Sequence, residues 1–262
     1  MADAFFVCDG ERYAASELTR GPWDPNAQHA GPPTALLGRA VERAGSISEA
    51  QVARITFEIL RPIPIATLTA TAEVVRAGRT VELIEAVLSD EQGELVRARA
   101  WRVRSAEVDL SGGVLPDDPP PAGPGSARPA EAFFPTGHDT GYHTAMEVRF
   151  SAGEFLRLGP ATAWMRMRYP LVAGEEPSPL ARVLVAADSG NGISGTLDYR
   201  RYLFVNTDLT VNLIRPPVGQ WVRLEAVTHP QPHGVGLADT ALHDERGRIG
   251  RSTQTLVVSE RA

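Results

Sequence analysis

An internal repeat constrains the fold of this chain more than any other feature. Residues 54–103 align with residues 208–257 at a constant offset of about 154 residues and without a gap, with roughly 12 identities in 50 positions. The markers that recur in step are Arg61-Pro62 with Arg215-Pro216, Asp90-Glu91 with Asp244-Glu245, Gly93 with Gly247, and Arg97 with Arg251. A repeat of this length predicts two copies of one structural unit.

The two copies differ in polarity near their ends. The first copy has Ala98 and Ala100 where the second has Ser252 and Gln254. Chemistry needs polar side chains, so we expect a functional site in the second copy.

Composition excludes several classes of function. The net charge is −6, which is unfavourable for binding nucleic acid without sequence preference. All 26 basic residues are arginine, so lysine chemistry such as a Schiff base is excluded. The one cysteine, Cys8, has no partner for an internal disulfide, as is typical of a protein in a reducing cytoplasm. No histidine or cysteine spacing indicates a metal, and no glycine-rich motif indicates a nucleotide cofactor, so we expect neither.

The order of elements within each copy predicts an α+β protein. A proline-led helix comes first, TALLGRAVERA after Pro32-Pro33 and LARVLVAADS after Pro179. Four runs of strand-forming residues follow in each copy, with hairpin turns that end at Gly93 and Gly247. We therefore expect a double hotdog, in which each of two tandem repeats packs a helix on a curved antiparallel sheet.

Three segments make up the predicted domain organisation. The N-terminal hotdog repeat covers residues 1–106, and the C-terminal repeat, with the candidate site, covers residues 140–262. Between them, residues 107–139 are rich in proline and glycine and predict an extended linker. The N-terminus has no basic segment before an apolar stretch, and no run reaches the ~18 apolar residues of a membrane span. We therefore expect no membrane segment and a cytoplasmic location.

Short motifs in both copies carry a family resemblance. They are Ala30-Gly31 before the first helix, the strand end Ile59-Leu60-Arg61-Pro62, the turn Arg76-Ala77-Gly78-Arg79-Thr80, the helix end Ala187-Asp188-Ser189, the strand Phe204-Val205-Asn206-Thr207-Asp208, and Arg251-Ser252-Thr253-Gln254. In this order and spacing, they make the chain resemble the acyl-CoA thioesterase II type of double-hotdog enzyme. The resemblance covers the chain apart from the linker.

The resemblance implies a catalytic set in the second repeat. Enzymes of this family orient a water with an Asp, a Ser or Thr, and a Gln. The matching positions here are Asp188, Asn206 and Gln254, so an amide replaces the family's hydroxyl. Thr207 and Thr210 are neighbouring hydroxyls, of which Thr210 shares a strand face with Asn206. We expect these groups to line one cavity and to hydrolyse an acyl-CoA thioester to the free acid and CoA.

Further residues are candidates for substrate binding. Glycines before the first helix and after the second, Gly31 and Gly190, are placed to offer backbone N–H groups to a developing oxyanion. The Thr210 hydroxyl, near the expected site, is a further candidate to bind the substrate. The guanidinium groups of Arg200 and Arg201 are candidates to contact the phosphates of CoA.

Two alternatives remain open from the sequence. Asp24 and His29 have the Asp-x-Asn-x-x-His spacing that hotdog enoyl-CoA hydratases use for a base and acid pair. The chain is also compatible with an acyl or acyl-CoA binding protein without catalysis, which Asn206 in place of a hydroxyl favours.

The expected partner is acyl-CoA or a related thioester, with no nucleic acid. We also expect a homodimer or a higher homo-oligomer, because apolar residues alternate on strands whose outer faces would need cover. Those residues are Leu83, Ala86, Leu88, Leu237, Ala241 and Leu242.

Overall fold

The two repeats share one continuous sheet. We describe residues 3–110 and 119–261 of a computed structural model, and within them the sheet has 14 strands. Pairing between these strands is antiparallel throughout. The predicted α+β class, with a helix and an antiparallel sheet in each repeat, is confirmed.

The first repeat has six strands and one long helix. In spatial order its strands are β1 (Phe6–Asp9), β2 (Arg12–Ala15), β4 (Thr67–Arg76), β5 (Val81–Asp90), β6 (Gly93–Arg104) and β3 (Ala50–Ile59). The helix α1 (Gly31–Ala44) has proline at its second and third positions, where the missing N–H groups cost nothing.

The second repeat follows the same plan with additions. From the centre outward its strands are β11 (Asp208–Leu213), β14 (Gly247–Glu260), β13 (Val235–Asp244), β12 (Val222–Pro230), β9 (Arg157–Met167), β8 (Met146–Glu154) and β7 (Arg128–Pro129), and β10 (Tyr202–Asn206) pairs with the far end of β14. Its helices are α2 (Tyr142–Ala145), α3 (Pro179–Ala187) and α4 (Gly190–Ile193). The Ser178 side chain caps α3 by accepting from Ala181 N.

The repeated Arg and Asp residues form equivalent hydrogen bonds in the two repeats. Arg61 donates to both the Asp90 carboxylate and Gly93 O across one hairpin. In the second repeat, Arg215 donates to the Asp244 carboxylate at 2.6 Å and to Gly247 O at 3.1 Å. The repeated Arg and Asp therefore recur because each pair closes the same turn.

A pseudo-twofold axis passes between the repeats. β3 and β11 pair so that Thr56 faces Thr210, the same position in the two copies, and their hydroxyls lie 3.1 Å apart. Residues on either side pair symmetrically about this point, as Asp208 with Glu58 and Asn212 with Arg54. The junction has the self-complementary form of a twofold subunit interface.

Part of the expected linker belongs to the second repeat. Arg128 and Pro129 form the edge strand β7 against β8, and Ala122 O accepts the indole N–H of Trp164 at 3.2 Å. Phe134 is 7% exposed and packs into the core. These contacts revise the linker predicted over 107–139, because residues after about 121 pack on the second repeat; residues 111–118 lie outside the described part.

Three of the six apolar strand residues face the core, and Leu83 and Ala241 are partly exposed. Ala86, Leu88 and Leu242 are fully buried in it, which corrects the expectation that they cover an outer face. Leu237 is 43% exposed, and Val235 and Val257 beside it are also exposed. Oligomerisation stays a prediction. No helix among the described residues is both long and apolar enough to cross a membrane.

Candidate functional site

Asp188 lies where the two long helices meet. It is the C-cap of α3, and the close approach of Gly31 to Val185 O places it beside the N-terminus of α1. The residue is 4% exposed, yet it lines a cavity of about 320 Å³. A carboxylate at this point is favoured by the positive end of the α1 dipole.

The structure brings together the three residues expected to be catalytic. Asn206 donates from Nδ2 to Asp188 Oδ1 at 2.9 Å, and Gln254 donates from Nε2 to the same oxygen at 3.2 Å. Asn206 is at the end of β10, where the strand breaks before β11. This break matches a register shift after Val52 in β3, so both repeats kink at the same place.

Gln254 lies behind Asp188 rather than on the cavity. It is 1% exposed and is absent from the cavity lining, which corrects the expectation that all three residues line it. Its Oε1 accepts from Asn191 N at 3.1 Å, and its Nε2 also donates to Asp188 O at 3.1 Å. With both ends of the amide engaged, Gln254 positions Asp188 instead of holding a water itself.

His29 contacts Asp188 in the structure, whereas the sequence motif paired it with Asp24. Its Nδ1 lies 3.0 Å from Asp188 Oδ2 and 3.1 Å from Gly31 N. The ring stacks on Tyr142 at 3.7 Å between centroids and 5° between planes. The sequence contains this histidine in the Asp24 motif, but nothing in it indicates contact with a residue in the other half of the chain.

Tyr142, on which the His29 ring stacks, is itself held by hydrogen bonds. Its hydroxyl donates to Val185 O at 2.7 Å and lies 2.8 Å from Ser189 Oγ. Burial raises the pKa of Tyr142 far above its ordinary value, and the nearby Asp188 charge adds to the rise. The phenol therefore stays protonated and acts as a fixed donor that ties α2 to the end of α3.

The cavity lining combines polar and apolar side chains. Its polar lining includes Asp188, Asn206, Asn191, Thr207, Gln28 and His29. Its apolar lining includes Trp23, Ala27, Ala30, Ile59, Pro62, Ile63 and Val205. Such a mixture is typical of sites that bind an apolar group and orient it with a few polar atoms.

Asp24 also lines this cavity, but no hydrogen bond joins it to His29 among the described residues. Its Oδ1 accepts from Asn26 N at 2.8 Å, which closes a local turn. The pair expected for a hydratase is therefore divided, since His29 faces Asp188 instead.

The structure gives the predicted glycines packing roles. A Cβ on Gly31 would lie 2.4 Å from Val185 O, and one on Gly190 would lie 2.5 Å from Thr240 Oγ1. Neither glycine lines the cavity, which corrects their expected placement against substrate. Both allow close approach of backbone around Asp188.

The remaining predicted binding residues lie outside the cavity. Thr210 donates to Thr56 at the pseudo-twofold axis. Arg200 and Arg201 are exposed, and Arg201 pairs with Glu260 at 3.3 Å. The structure thus does not bring Thr210, Arg200 or Arg201 to Asp188; phosphate contact by the arginines stays a prediction.

Among the described residues of the first repeat, there is no matching site. The positions equivalent to Asn206 and Gln254 are Val52 and Ala100, both buried. Beyond the end of α1, a buried ion pair of Glu82 and Arg102 fills the space. Burial raises the pKa of Glu82, but hydrogen bonds from Ser46 and the backbone, together with the Arg102 charge, outweigh it and hold the pKa below its ordinary value.

Within residues 3–110 and 119–261, no group of three or more His, Cys, Asp or Glu side chains is arranged to hold a metal ion.

Family models match both repeats. The model of an acyl-CoA thioesterase N-terminal domain matches residues 19–103, and that of an acyl-CoA thioesterase C-terminal domain matches residues 116–258. No curated protein matches the chain.

Solved structures share the whole fold at low identity. A candidate thioesterase from Novosphingobium aromaticivorans is 19% identical over 97% of this chain and 98% of its own, with a TM-score of 0.73. A conserved hot dog protein from Alicyclobacillus acidocaldarius is 17% identical over 99% and 97%, with a TM-score of 0.71. An acyl-CoA thioesterase II from Mycobacterium marinum is 13% identical over 98% and 94%, with a TM-score of 0.65. These likenesses establish the double-hotdog architecture.

Proposed function

Because the chain belongs to the acyl-CoA thioesterase family, as the matches to both of its domains show, we propose that it hydrolyses an acyl-CoA thioester with a water that Asp188 deprotonates. The family makes the protein a thioesterase-type hydrolase. One observation supports Asp188 as the base. Its carboxylate lines the cavity, and Asn206, Gln254 and His29 hold it in place.

The water would sit between Asp188 and Asn206. Both N–H groups of the Asn206 amide are engaged, by Asp188 Oδ1 and by Asp208 O at 3.1 Å. Its Oδ1 makes no hydrogen bond among the described residues and can accept one from a water whose other hydrogen points to Asp188. An amide thereby does the work expected of the family's hydroxyl.

His29 Nδ1 lies between two groups, Asp188 Oδ2 and Gly31 N–H. One ring nitrogen cannot accept from Gly31 N–H and donate to Asp188 at the same time. As a donor, Nδ1 holds Asp188 Oδ2 in place; as an acceptor, it binds the N-terminus of α1. Both contacts fix the histidine ring between the start of α1 and the Asp188 carboxylate.

The reaction then balances without a cofactor. Hydroxide adds to the thioester carbonyl carbon, the C–S bond breaks, and the proton on Asp188 passes to the leaving sulfur to give a carboxylic acid and CoA. Ala30 supports the oxyanion: it lines the cavity at the N-cap of α1, and its N–H has no partner among the described residues. Gly31 N–H donates to His29 Nδ1, and Pro32 and Pro33 have no N–H, so Ala30 is the donor that this helix end leaves for the substrate.

The test is thiol release from a series of acyl-CoAs. We expect turnover in the wild type and a loss of at least about 10²-fold in kcat for Asp188→Asn, the usual scale for removing a general base. Asp239→Asn is the matched control, because Asp239 pairs with Arg251 on the outer face of the sheet. Loss in both variants, or in neither, contradicts the assignment.

The same preparation separates the alternatives. Asp24→Asn, with enoyl-CoA absorbance as the readout, tests the hydratase. A wild type that binds acyl-CoA in calorimetry but releases no thiol would identify a binding protein and end the proposal.

A further inference from the structure

A second cavity adjoins the one that contains Asp188. It also measures about 320 Å³, and it is lined by Phe134, Phe155, Leu156, Leu158, Gly195, Leu197, Asp198, Tyr199, Arg200 and Phe204. Leu156 and Leu158 are 50% and 57% exposed, and the charged Asp198 and Arg200 are exposed beside them. The leucine and phenylalanine side chains form the part of this lining that suits an acyl chain.

One aromatic wall separates the two cavities. Trp23, in the loop before α1, lines the Asp188 cavity, while Phe204 and Phe134 line the second. The Trp23 ring meets Phe204 edge-on at 5.0 Å and Phe134 at 6.1 Å between centroids. The wall is therefore about two rings thick, with Trp23 facing the candidate active site.

Both sides of the wall are anchored. The Arg261 guanidinium lies 5.5 Å from the Trp23 ring, a cation–π arrangement that holds the indole. Asn191 of α4 lines the Asp188 cavity and donates from Nδ2 to Phe204 O at 3.2 Å. Phe204 is 2% exposed. These contacts restrict the movement of the Trp23 and Phe204 side chains, so the wall stays closed.

We propose that Trp23 sets the longest acyl chain that this enzyme accepts, and that the cavity behind it is a closed-off extension of the acyl subsite. The inference rests on the proposed function, since it requires the thioester carbonyl at Asp188. From there, an acyl chain runs along Ile59, Ile63 and Val205 and meets the indole. Short chains fit in front of Trp23, and longer chains would need the space beyond it.

Because each buried methylene adds to binding, this geometry predicts how kcat/KM depends on acyl chain length. Each methylene taken from water into an apolar pocket contributes about fourfold in binding. In the wild type, kcat/KM should rise with chain length until the chain reaches Trp23 and then level or fall. Without the indole, the rise should continue into the space that the ring leaves, as far as Phe204.

The experiment compares Trp23→Ala with the wild type on butanoyl-, octanoyl-, dodecanoyl- and hexadecanoyl-CoA. We expect kcat/KM for the longest substrate to increase by about tenfold or more, as two further buried methylenes would give, with little change for butanoyl-CoA. Trp221→Ala is the matched control. Trp221 packs against Arg149 and Arg166 and lines neither cavity, so its loss should leave the profile unchanged.

A binding measurement keeps the inference separate from catalysis. In the Asp188→Asn background, calorimetry with hexadecanoyl-CoA should show tighter binding when Trp23→Ala is added. Equal losses at every chain length, or a profile shared with Trp221→Ala, would overturn the role of Trp23. If no acyl-CoA releases thiol, the proposed function fails, and calorimetry still decides whether the indole limits chain length.

Discussion

At the scale of single residues, the Asp188 carboxylate has more partners than an ordinary helix end provides. Two amides hold Oδ1, and an imidazole faces Oδ2. A buried carboxylate needs such partners, because an ionised group without them is costly to remove from water. The arrangement therefore fixes the orientation of the proposed base before substrate binds.

Two substitutions distinguish the contribution of His29 Nδ1 from that of the aromatic ring. His29→Phe keeps the stacking on Tyr142 but removes Nδ1, whereas His29→Asn keeps an acceptor close to the backbone. We expect His29→Phe to lower kcat by about 10-fold to 10²-fold with little change in KM, and His29→Asn to lower it less. Steady-state kinetics on one acyl-CoA measures both.

Equal effects in the two variants would mean that His29 acts by packing alone. A change in KM without a change in kcat would place it against the substrate instead of Asp188.

The sequence was informative about part of this site. Asp188, Asn206 and Gln254 followed from the resemblance and lie together in the structure. The contact of His29 with Asp188 did not follow, because it joins distant parts of the chain and no local pattern encodes it. Gln254 was expected on the cavity; a polar residue on a strand signals an inward partner, but not whether that partner is water or a carboxylate.

At the scale of elements, the antiparallel contact of α1 and α3 places the site. Gly31 lies against Val185 O, and Gly38 lies against Leu184, where added Cβ atoms would be 2.4 Å and 2.3 Å away. These glycines allow the helices to approach closely enough for the start of α1 to reach the end of α3. The distance between His29 and Asp188 depends on that approach.

Gly31→Ala should therefore damage both stability and the site. Its Cβ would meet backbone, which cannot move aside as a flexible side chain can, so the helices must separate. We expect a loss of about 1–3 kcal/mol in the free energy of unfolding, measured by urea denaturation, and a fall in kcat.

Gly192→Ala is the control within the same region, since the nearest atom, Phe134 Cε2, would be 4.0 Å away. Similar losses in both variants would show that the helix contact is not the cause.

Strands were better predicted than their connections. Alternation of apolar and polar residues in the two copies located the main strands, because side chains on a strand alternate between the two faces. The edge strand β7 was missed, since Arg128-Pro129 has no alternation and is held by its neighbour β8. Proline in such a strand is tolerated at a sheet edge, where a missing N–H breaks no ladder.

At the scale of the whole molecule, two histidines make the fold sensitive to acid. Burial lowers the pKa of His138, as does the Arg20 charge; burial and His138 lower the pKa of His143. Both nitrogens of His138 and Nδ1 of His143 are buried without partners among the described residues. The unfolded chain therefore binds protons that the folded chain does not.

Stability should fall as the pH drops through about 6.5, where these histidines become protonated in the unfolded chain. Urea denaturation of wild type and of His143→Gln between about pH 7 and pH 5 measures the difference, and the variant should show a shallower decline. The carboxylates with lowered pKa, such as Glu82 and Asp244, act in a lower window, below their ordinary values near 4. Identical slopes in the two proteins between about pH 7 and pH 5 would contradict the assignment.

The composite origin of the site has a genetic consequence. His29 and Trp23 come from one repeat, and Asp188 and Asn206 come from the other, across a junction with the symmetry of a subunit interface. A damaged first half and a damaged second half therefore injure the same site from opposite sides. Mutations that abolish the function of this site should therefore fall in both halves of the gene.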